Sequence, residues 1–157
     1  DEGDADEEEG EEALSDNLDF LFTNETDFSQ EKFETWDTSI VTSMAETFSY
    51  SGYGKGEIGV WNVAAVVSFK GTFRRAIMFD TDIGPWDVSG AYTMAFMFRG
   101  AWSFDQDLSG WDTSRVNSME QIFVDAFAFD KASIQEWDVL FVSDNDDLKV
   151  IEGAAPT

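Results

Sequence analysis

The residues in this sequence best suited to chemistry are aspartates that recur at a fixed spacing. They are Asp80, Asp82, Asp105, Asp107 and Asp130. Carboxylate oxygens are the ligands that Ca²⁺ prefers in proteins, and stacked repeats would bring these side chains close together. Two interpretations stay open: calcium bound between successive repeats, or hydrogen bonds from turn amides, which aspartates commonly accept.

The absence of two residue types excludes most enzymatic chemistry. The chain contains no His and no Cys, which removes Ser-His and Cys-His nucleophiles and the usual zinc ligands. A glycosidase needs two carboxylates in unlike environments, whereas these aspartates recur in equivalent ones. We therefore predict that the protein is not an enzyme and has no cofactor other than, in the calcium interpretation, Ca²⁺.

The charge of the chain is strongly acidic and uneven. There are 33 Asp and Glu against 9 Lys and Arg, a formal net charge of −24. Nine of the first twelve residues are acidic, so residues 1–12 are predicted to be a disordered acidic tail. The charge argues against nucleic acid and anionic membranes and favours basic partners or cations. No apolar stretch is long enough for direct membrane insertion.

Tryptophan marks an internal repeat. Trp36, Trp61, Trp86 and Trp111 are 25 residues apart, and Trp137 follows after 26. A period between about 20 and 50 residues indicates repeats that bury their apolar faces only by stacking on one another. We therefore predict that the tryptophans are buried and that neighbouring repeats pair in parallel.

The columns around each tryptophan predict the elements that position these residues. Apolar residues three positions before it and β-branched residues two positions after it favour a short strand. Seven positions after it stands a hydroxyl, as at Ser43 and Ser118, which predicts a helix N-cap. An i, i+4, i+7 apolar stripe follows, as at Met44, Phe48 and Ser51. The predicted fold class is an α/β repeat solenoid with short parallel strands on one face, short helices on the other and irregular end caps.

The same pattern divides the chain. Residues 13–27 are predicted to form an N-terminal cap, because Leu14, Leu18 and Leu21 have helical spacing. Residues 28–140 form the repeat region of about four and a half repeats. Residues 141–157 are predicted to be a C-terminal cap or tail.

Two longer motifs resemble a known family. W-D-T-S-x-V-x-S-M-x-x-x-F at 36–48 and 111–123, with F-D-Q-D-L-S-G-W-D at 104–112, is similar to the BspA-like surface-protein repeat. The resemblance covers residues 28–140 and implies a leucine-rich-repeat-like fold. It also implies a secreted or cell-surface location, with a virion surface as an alternative, and a role in adhesion or protein recognition.

Residues that vary between repeats are the candidates for binding a partner. They are Tyr53, Arg74, Arg75, Trp102 and Arg115. Trp102 lies outside the tryptophan column, and two interpretations stay open: an exposed anchor, or partial burial under a loop. Asn24 begins an Asn-Glu-Thr sequon and is a candidate glycosylation site, which favours a secreted protein.

The functional expectation is a non-enzymatic surface or secreted repeat protein that mediates protein recognition, adhesion or assembly with a protein partner. The alternative is a calcium-binding or mineral-associated acidic extracellular matrix protein. The aspartate column supports the alternative, and the aromatic and arginine residues support the first function.

Overall fold

The computed structural model describes residues 15–137. The predicted acidic tail at 1–12, Leu14 of the predicted N-terminal cap and the predicted C-terminal cap at 141–157 lie outside the described residues.

Regular secondary structure is scarce in the described part of the chain. Three short 3-10 helices span Phe33–Thr35, Glu57–Val60 and Lys131–Ile134. Isolated parallel bridges join successive repeats at Asn17–Ser43, Ser43–Ser68, Ser68–Thr93 and Thr93–Ser118. Residues 15–137 contain no α-helix and no sheet. The predicted α/β solenoid with strands on one face and helices on the other is therefore wrong, although neighbouring repeats do pair in parallel.

The place of the predicted helices is taken by four segments that we call turn ribbons. The ribbons span 44–51, 69–76, 94–101 and 119–126, and each is a succession of hydrogen-bonded turns. Alternate N–H groups, those of Met44, Glu46, Phe48 and Tyr50 in the first ribbon, donate to carbonyl oxygens of residues 68–74 in the next repeat at 2.7–2.9 Å. Each ribbon is therefore bonded sideways to its neighbour, as a strand would be.

A left-handed residue every fourth position explains why these ribbons are not helices. Glu46 and Tyr50 have φ of 56° and 58°, and Gly71 and Arg75 occupy the same positions one repeat later at 62° and 55°. An α-helix does not accommodate such residues. The four-residue period still buries the predicted stripe, including Met44 and Phe48, because it lies close to the 3.6-residue period of a helix.

The predicted N-caps are wrong for the same reason. Of the N–H groups that Ser43 was expected to cap, that of Ala45 donates to Oδ1 of Asp19 at 2.7 Å and that of Glu46 donates to the carbonyl of Lys70 at 2.8 Å. The hydroxyl of Ser43 donates to Oδ1 of Asp19 at 2.5 Å, in the preceding repeat. Ser118 takes part in a parallel bridge with Thr93.

The segment around each tryptophan is a corner between two turns rather than a strand. Trp86 N–H donates to the carbonyl of Ile83 at 3.0 Å, and Ala91 N–H donates to that of Val88 at 2.8 Å. Asp87 Oδ1 accepts the N–H of Ser89 at 3.1 Å and shapes the corner between them. The predicted burial of the column is confirmed for Trp61, Trp86, Trp111 and Trp137, while Trp36 is half-buried.

The core consists of aromatic rings repeated at the same position. Consecutive rings of Phe22, Phe48, Phe73, Phe98 and Phe123 lie 5.2–5.8 Å apart and within 18° of parallel. A second column contains Phe79, Phe104 and Phe129, and the ring of Phe79 stacks on Phe73 at 3.8 Å. This aromatic ladder runs through the described repeats and holds their coils together.

The segment predicted to be a helical cap continues the stack. The N–H groups of Leu18, Phe20, Phe22 and Asn24 donate to carbonyl oxygens of residues 43–49 at 2.8–3.0 Å. Leu18 is buried, but Leu21 is exposed, so the helical spacing that suggested the cap is not the spacing of a buried face. Within residues 15–137, no helix has the length and apolar character needed to cross a membrane.

Candidate functional site

The recurring aspartates are bonded to backbone amides. Oδ1 of Asp80 accepts the N–H of Asp105 at 3.2 Å, and Oδ1 of Asp105 accepts that of Asp130 at 3.1 Å. Asp82 and Asp107 accept amides two residues further on, each at 2.9 Å. Hydrogen bonds from backbone amides are thus present at all five predicted positions, since Asp130 Oδ1 also accepts the N–H of Ala132 at 2.9 Å.

Asp80 has the most elaborate environment of these carboxylates. Burial raises its pKa, but hydrogen bonds from Gln106 Nε2 at 2.6 Å and Lys55 Nζ at 3.0 Å outweigh burial, so the pKa lies below its usual value. The carboxylate is therefore ionised at neutral pH and compensated by groups of the protein itself.

The predicted calcium ligands do not come together in the described repeats. Asp105, Asp107 and Asp130 line an open groove of about 510 Å³. Within residues 15–137, however, no group of three or more His, Cys, Asp or Glu residues is arranged to hold a metal ion. The groove presents negative charge to solvent without a preformed coordination shell.

Tyr53 was predicted to bind a partner and is instead buried. It is only 3% exposed, and burial raises the pKa of its hydroxyl to about 12. Its ring lies 6.2 Å from that of Phe79 and nearly parallel to it. Gly54 stands where later repeats have phenylalanine, so Tyr53 supplies the missing ring of the ladder. The missing phenylalanine at position 54 is visible in the sequence and was a signal that Tyr53 belongs to the core.

Arg74 and Arg75 lie in a cluster that we call the basic aromatic patch, defined by Tyr50, Arg74, Arg75, Phe96 and Arg99. The guanidinium of Arg74 lies 5.7 Å from the ring centre of Tyr50 and 5.9 Å from that of Phe96. Arg75 lies 5.9 Å from Tyr50, and Arg99 lies 6.0 Å from Phe96. Two rings thus hold three guanidinium groups by cation–π contacts.

The lateral bonds of the turn ribbons bring the patch together. Tyr50 N–H donates to the carbonyl of Arg74, and Arg75 N–H donates to that of Arg99, each at 2.7 Å. Tyr50 and Arg75 occupy the same column of the repeat, as do Arg74 and Arg99. The sequence reasoning missed Tyr50, Phe96 and Arg99, although the 25-residue offset was a sufficient signal for Tyr50 and Arg99.

The electrostatics of the patch differ from those of the chain as a whole. Three of the chain's nine basic residues meet here. One carboxylate, Glu46, approaches within 3.7 Å of Arg74 Nη1, while Arg74 Nε is buried without a hydrogen-bond partner. Arg75 is exposed, and Arg99 is half-buried. The patch therefore offers guanidinium groups to a ligand that brings negative charge.

Trp102 is 40% exposed, so its ring is partly buried and part of it remains accessible at the surface. Its ring lies 6.0 Å from that of Phe127. Ile77, which occupies the same column one repeat earlier, is also exposed. Trp102 and Ile77 follow the arginines Arg99 and Arg75 closely in sequence and add apolar surface after each ribbon.

Two predicted residues stand apart from the patch. Arg115 is exposed in the turn that follows Trp111, and it makes none of the cation–π contacts of the patch. Asn24 is exposed in the first coil with φ of 62°, and its N–H donates to the carbonyl of Ser49 at 3.0 Å. Its side chain is accessible at the outer surface of the stack.

Comparison with known proteins gives one family. A family model described as "Mycoplasma protein of unknown function, DUF285" matches residues 15–76 and 51–151, which together include every described repeat. No curated protein and no solved structure matches the chain.

Proposed function

Because the chain belongs to the family described as Mycoplasma proteins of unknown function, DUF285, we propose that it is a BspA-like surface repeat protein that binds a partner protein and catalyses no reaction. The repeated motifs support the finer family assignment. The recurring aspartates of the described repeats accept hydrogen bonds from backbone amides. This structural role supports a binding function rather than a catalytic one.

The single observation on which the proposal depends is the basic aromatic patch. Tyrosine, tryptophan and arginine dominate the energy of protein interfaces, and here aromatic rings hold arginines in defined positions. Guanidinium groups bind carboxylates through two parallel hydrogen bonds. The chemistry of the patch therefore suits an acidic segment of a protein partner.

The charge of the whole chain limits such a partner. A net charge of −24 favours basic partners or cations over most of the surface. At physiological ionic strength, charges farther apart than roughly 8 Å are largely screened, so a local cluster of arginines can still bind a short acidic segment. Specificity then comes from the partner placing carboxylates at the patch and apolar groups at Trp102.

A cell-surface or extracellular site of action is part of the proposal, with a virion surface as the alternative. The family resemblance and the accessible Asn24 sequon support it. The calcium-binding alternative is the weaker one, because residues 15–137 contain no arrangement of carboxylates suited to a metal ion.

The test is titration of the full chain with a dye-labelled twelve-residue glutamate peptide at low and physiological salt. We expect R74Q/R75Q/R99Q to weaken binding by about tenfold or more, since each exposed cation–π or ion-pair contact contributes about 0.5–1 kcal/mol. The variant K32Q/R115Q/K131Q removes the same charge from exposed positions outside the patch and should change binding by less than about twofold. Equal loss in both variants, or no binding of the peptide to the unaltered chain, would overturn the proposal.

A further inference from the structure

We propose that the acidic segment at residues 1–12 docks on the basic aromatic patch of its own chain and competes with the partner. The inference depends on the proposed function, because it assigns the same chemistry to the patch. Charge complementarity is the first argument. The segment contains nine carboxylates in twelve residues, and the patch contains Arg74, Arg75 and Arg99.

The patch has room for such carboxylates. Glu46 Oε1 lies 3.7 Å from Arg74 Nη1, beyond the distance of a direct hydrogen bond, and the Arg74 side chain is 33% exposed, so its guanidinium can still meet an incoming carboxylate. Arg75 is exposed, and its contact with Tyr50 fixes its place without using its hydrogen-bond donors on an acceptor. The guanidinium groups are positioned but retain donors for carboxylate oxygens.

Other basic residues of the described repeats are less suitable as docking positions for the acidic segment. Lys55 is engaged by Asp80 at 3.0 Å. Lys32, Arg115 and Lys131 are exposed residues of the described repeats, and none of them makes a cation–π contact there. A segment with closely spaced carboxylates gains most where several guanidinium groups lie side by side, and the patch provides that arrangement.

The chain is long enough to reach the patch. Asn17 pairs with Ser43 at the start of the first ribbon, and Arg99 lies three coils further along the stack. With coils about 4.8 Å apart and at most about 3.5 Å per residue along a ribbon, the separation is below roughly 30 Å. The 14 residues that precede Ser15 span up to about 46 Å when extended.

Tethering makes a weak contact effective. A short connection gives an effective concentration in the millimolar range, so carboxylate–guanidinium contacts too weak to join separate molecules are populated within one chain. A partner must then displace the segment. The apparent affinity of the partner is lowered in proportion to the fraction of chains in which the segment occupies the patch. The acidic segment would therefore exclude partners that bind the patch weakly, and high salt would reduce this competition.

Paramagnetic relaxation in the full chain locates the segment directly. The protein has no Cys, so Ala5→Cys provides a single site for a nitroxide label. We expect the label to broaden the amide signals of Tyr50, Arg75 and Arg99 selectively. The broadening should disappear in R74Q/R75Q/R99Q and at 1 M salt, where the screening length falls to about 3 Å. Broadening centred on another surface, or spread evenly over the repeats, would overturn the inference.

A second variant separates this inference from the function of the patch. Replacing the nine carboxylates of residues 1–12 by Asn and Gln should tighten binding of the labelled glutamate peptide by about threefold to tenfold. The lysine variant R74K/R75K/R99K, which keeps the charge and loses the planar donors, should weaken docking and peptide binding together. If the peptide binds the unaltered and neutralised chains equally, the docking inference fails and the recognition function stands. If the peptide binds neither, the recognition function itself fails.

Discussion

The indole Nε1 of Trp86 donates a 3.0 Å hydrogen bond to the carbonyl oxygen of Ile58 in the preceding repeat. Trp61, Trp111 and Trp137 make the same bond to their preceding repeats at 2.8–3.2 Å. Trp86→Ala removes both the bond and a fully packed ring. We expect it to lower the free energy of unfolding by about 3–5 kcal/mol, measured by urea denaturation.

The matched control for Trp86 is Trp102, which lies outside the column and is 40% exposed. Trp102→Ala should cost less than about 1 kcal/mol, because most of the effect of a core substitution comes from the cavity it leaves. Equal losses in the two variants would contradict the assignment of Trp86 to the core and Trp102 to the surface.

In a turn ribbon, a glycine substitution at a left-handed position should have the opposite effect on stability from the same substitution in a helix. Gln121 has φ of 51°, a conformation that costs a residue with a side chain about 1–2 kcal/mol and costs glycine little. Gln121→Gly should therefore leave stability unchanged or raise it by up to about 1 kcal/mol. In an α-helix the same change would lower stability by about 1 kcal/mol. Thermal unfolding followed by circular dichroism measures the difference.

Glu120 provides the control for this substitution, because it is the neighbouring residue of the same ribbon and does not have a positive φ. Glu120→Gly should lower stability by about 0.5–1 kcal/mol through the entropy of the unfolded chain. Loss of stability in both glycine variants would indicate that the ribbon at 119–126 is a helix after all.

Asp80 links stability to pH. Its pKa is lower in the folded protein than in the unfolded chain, where it is about 3.9, because Gln106 and Lys55 outweigh the effect of burial. Its contribution is therefore fully present above about pH 5 and is lost as the pH falls below 4 and through the folded pKa. The stability difference between the unaltered protein and Asp80→Asn should shrink over that range, measured as the melting temperature.

Lys55→Ala tests the cause of this pH dependence. The substitution removes the cation at 3.0 Å, so the pKa of Asp80 should rise toward its ordinary value. The pH dependence of the stability difference should become smaller in the Lys55→Ala background. A difference between the Asp80 variants that is constant from neutral to acidic pH would contradict a carboxylate stabilised in its ionised form.

The sequence predicted the contacts between repeats better than the conformation within each repeat. The period of the tryptophans predicted which residues are buried and that repeats pair in parallel, because stacking depends only on which columns are apolar. The predicted helices were wrong because a ribbon with a left-handed residue every fourth position buries Phe48 and Phe73 much as a helix would. No residue type marks these positions, since Glu46, Gly71, Phe96 and Gln121 share one column.

The candidate site was predicted only in part. Arg74 and Arg75 stood out as a basic pair, but their aromatic partners come from neighbouring repeats. Tyr53 was predicted to be a contact residue because it varies between repeats, yet variation there compensates for Gly54 in the core. Variation between repeats therefore identifies surface residues only after the columns of the ladder have been assigned.

Substitutions at Tyr50 and Tyr53 are predicted to differ in their effect on binding. Tyr50 is 45% exposed and contacts two guanidinium groups, so Tyr50→Ala should weaken binding of the labelled glutamate peptide by about fivefold or more with little change in melting temperature. Tyr50→Phe retains the ring and should retain binding. Tyr53→Phe keeps the buried ring that packs on Phe79 and removes only the hydroxyl, so stability should change by less than about 1.5 kcal/mol and binding should be unchanged. Weaker binding in Tyr53→Phe with full binding in Tyr50→Ala would place the recognition surface beside Tyr53 and away from the arginines.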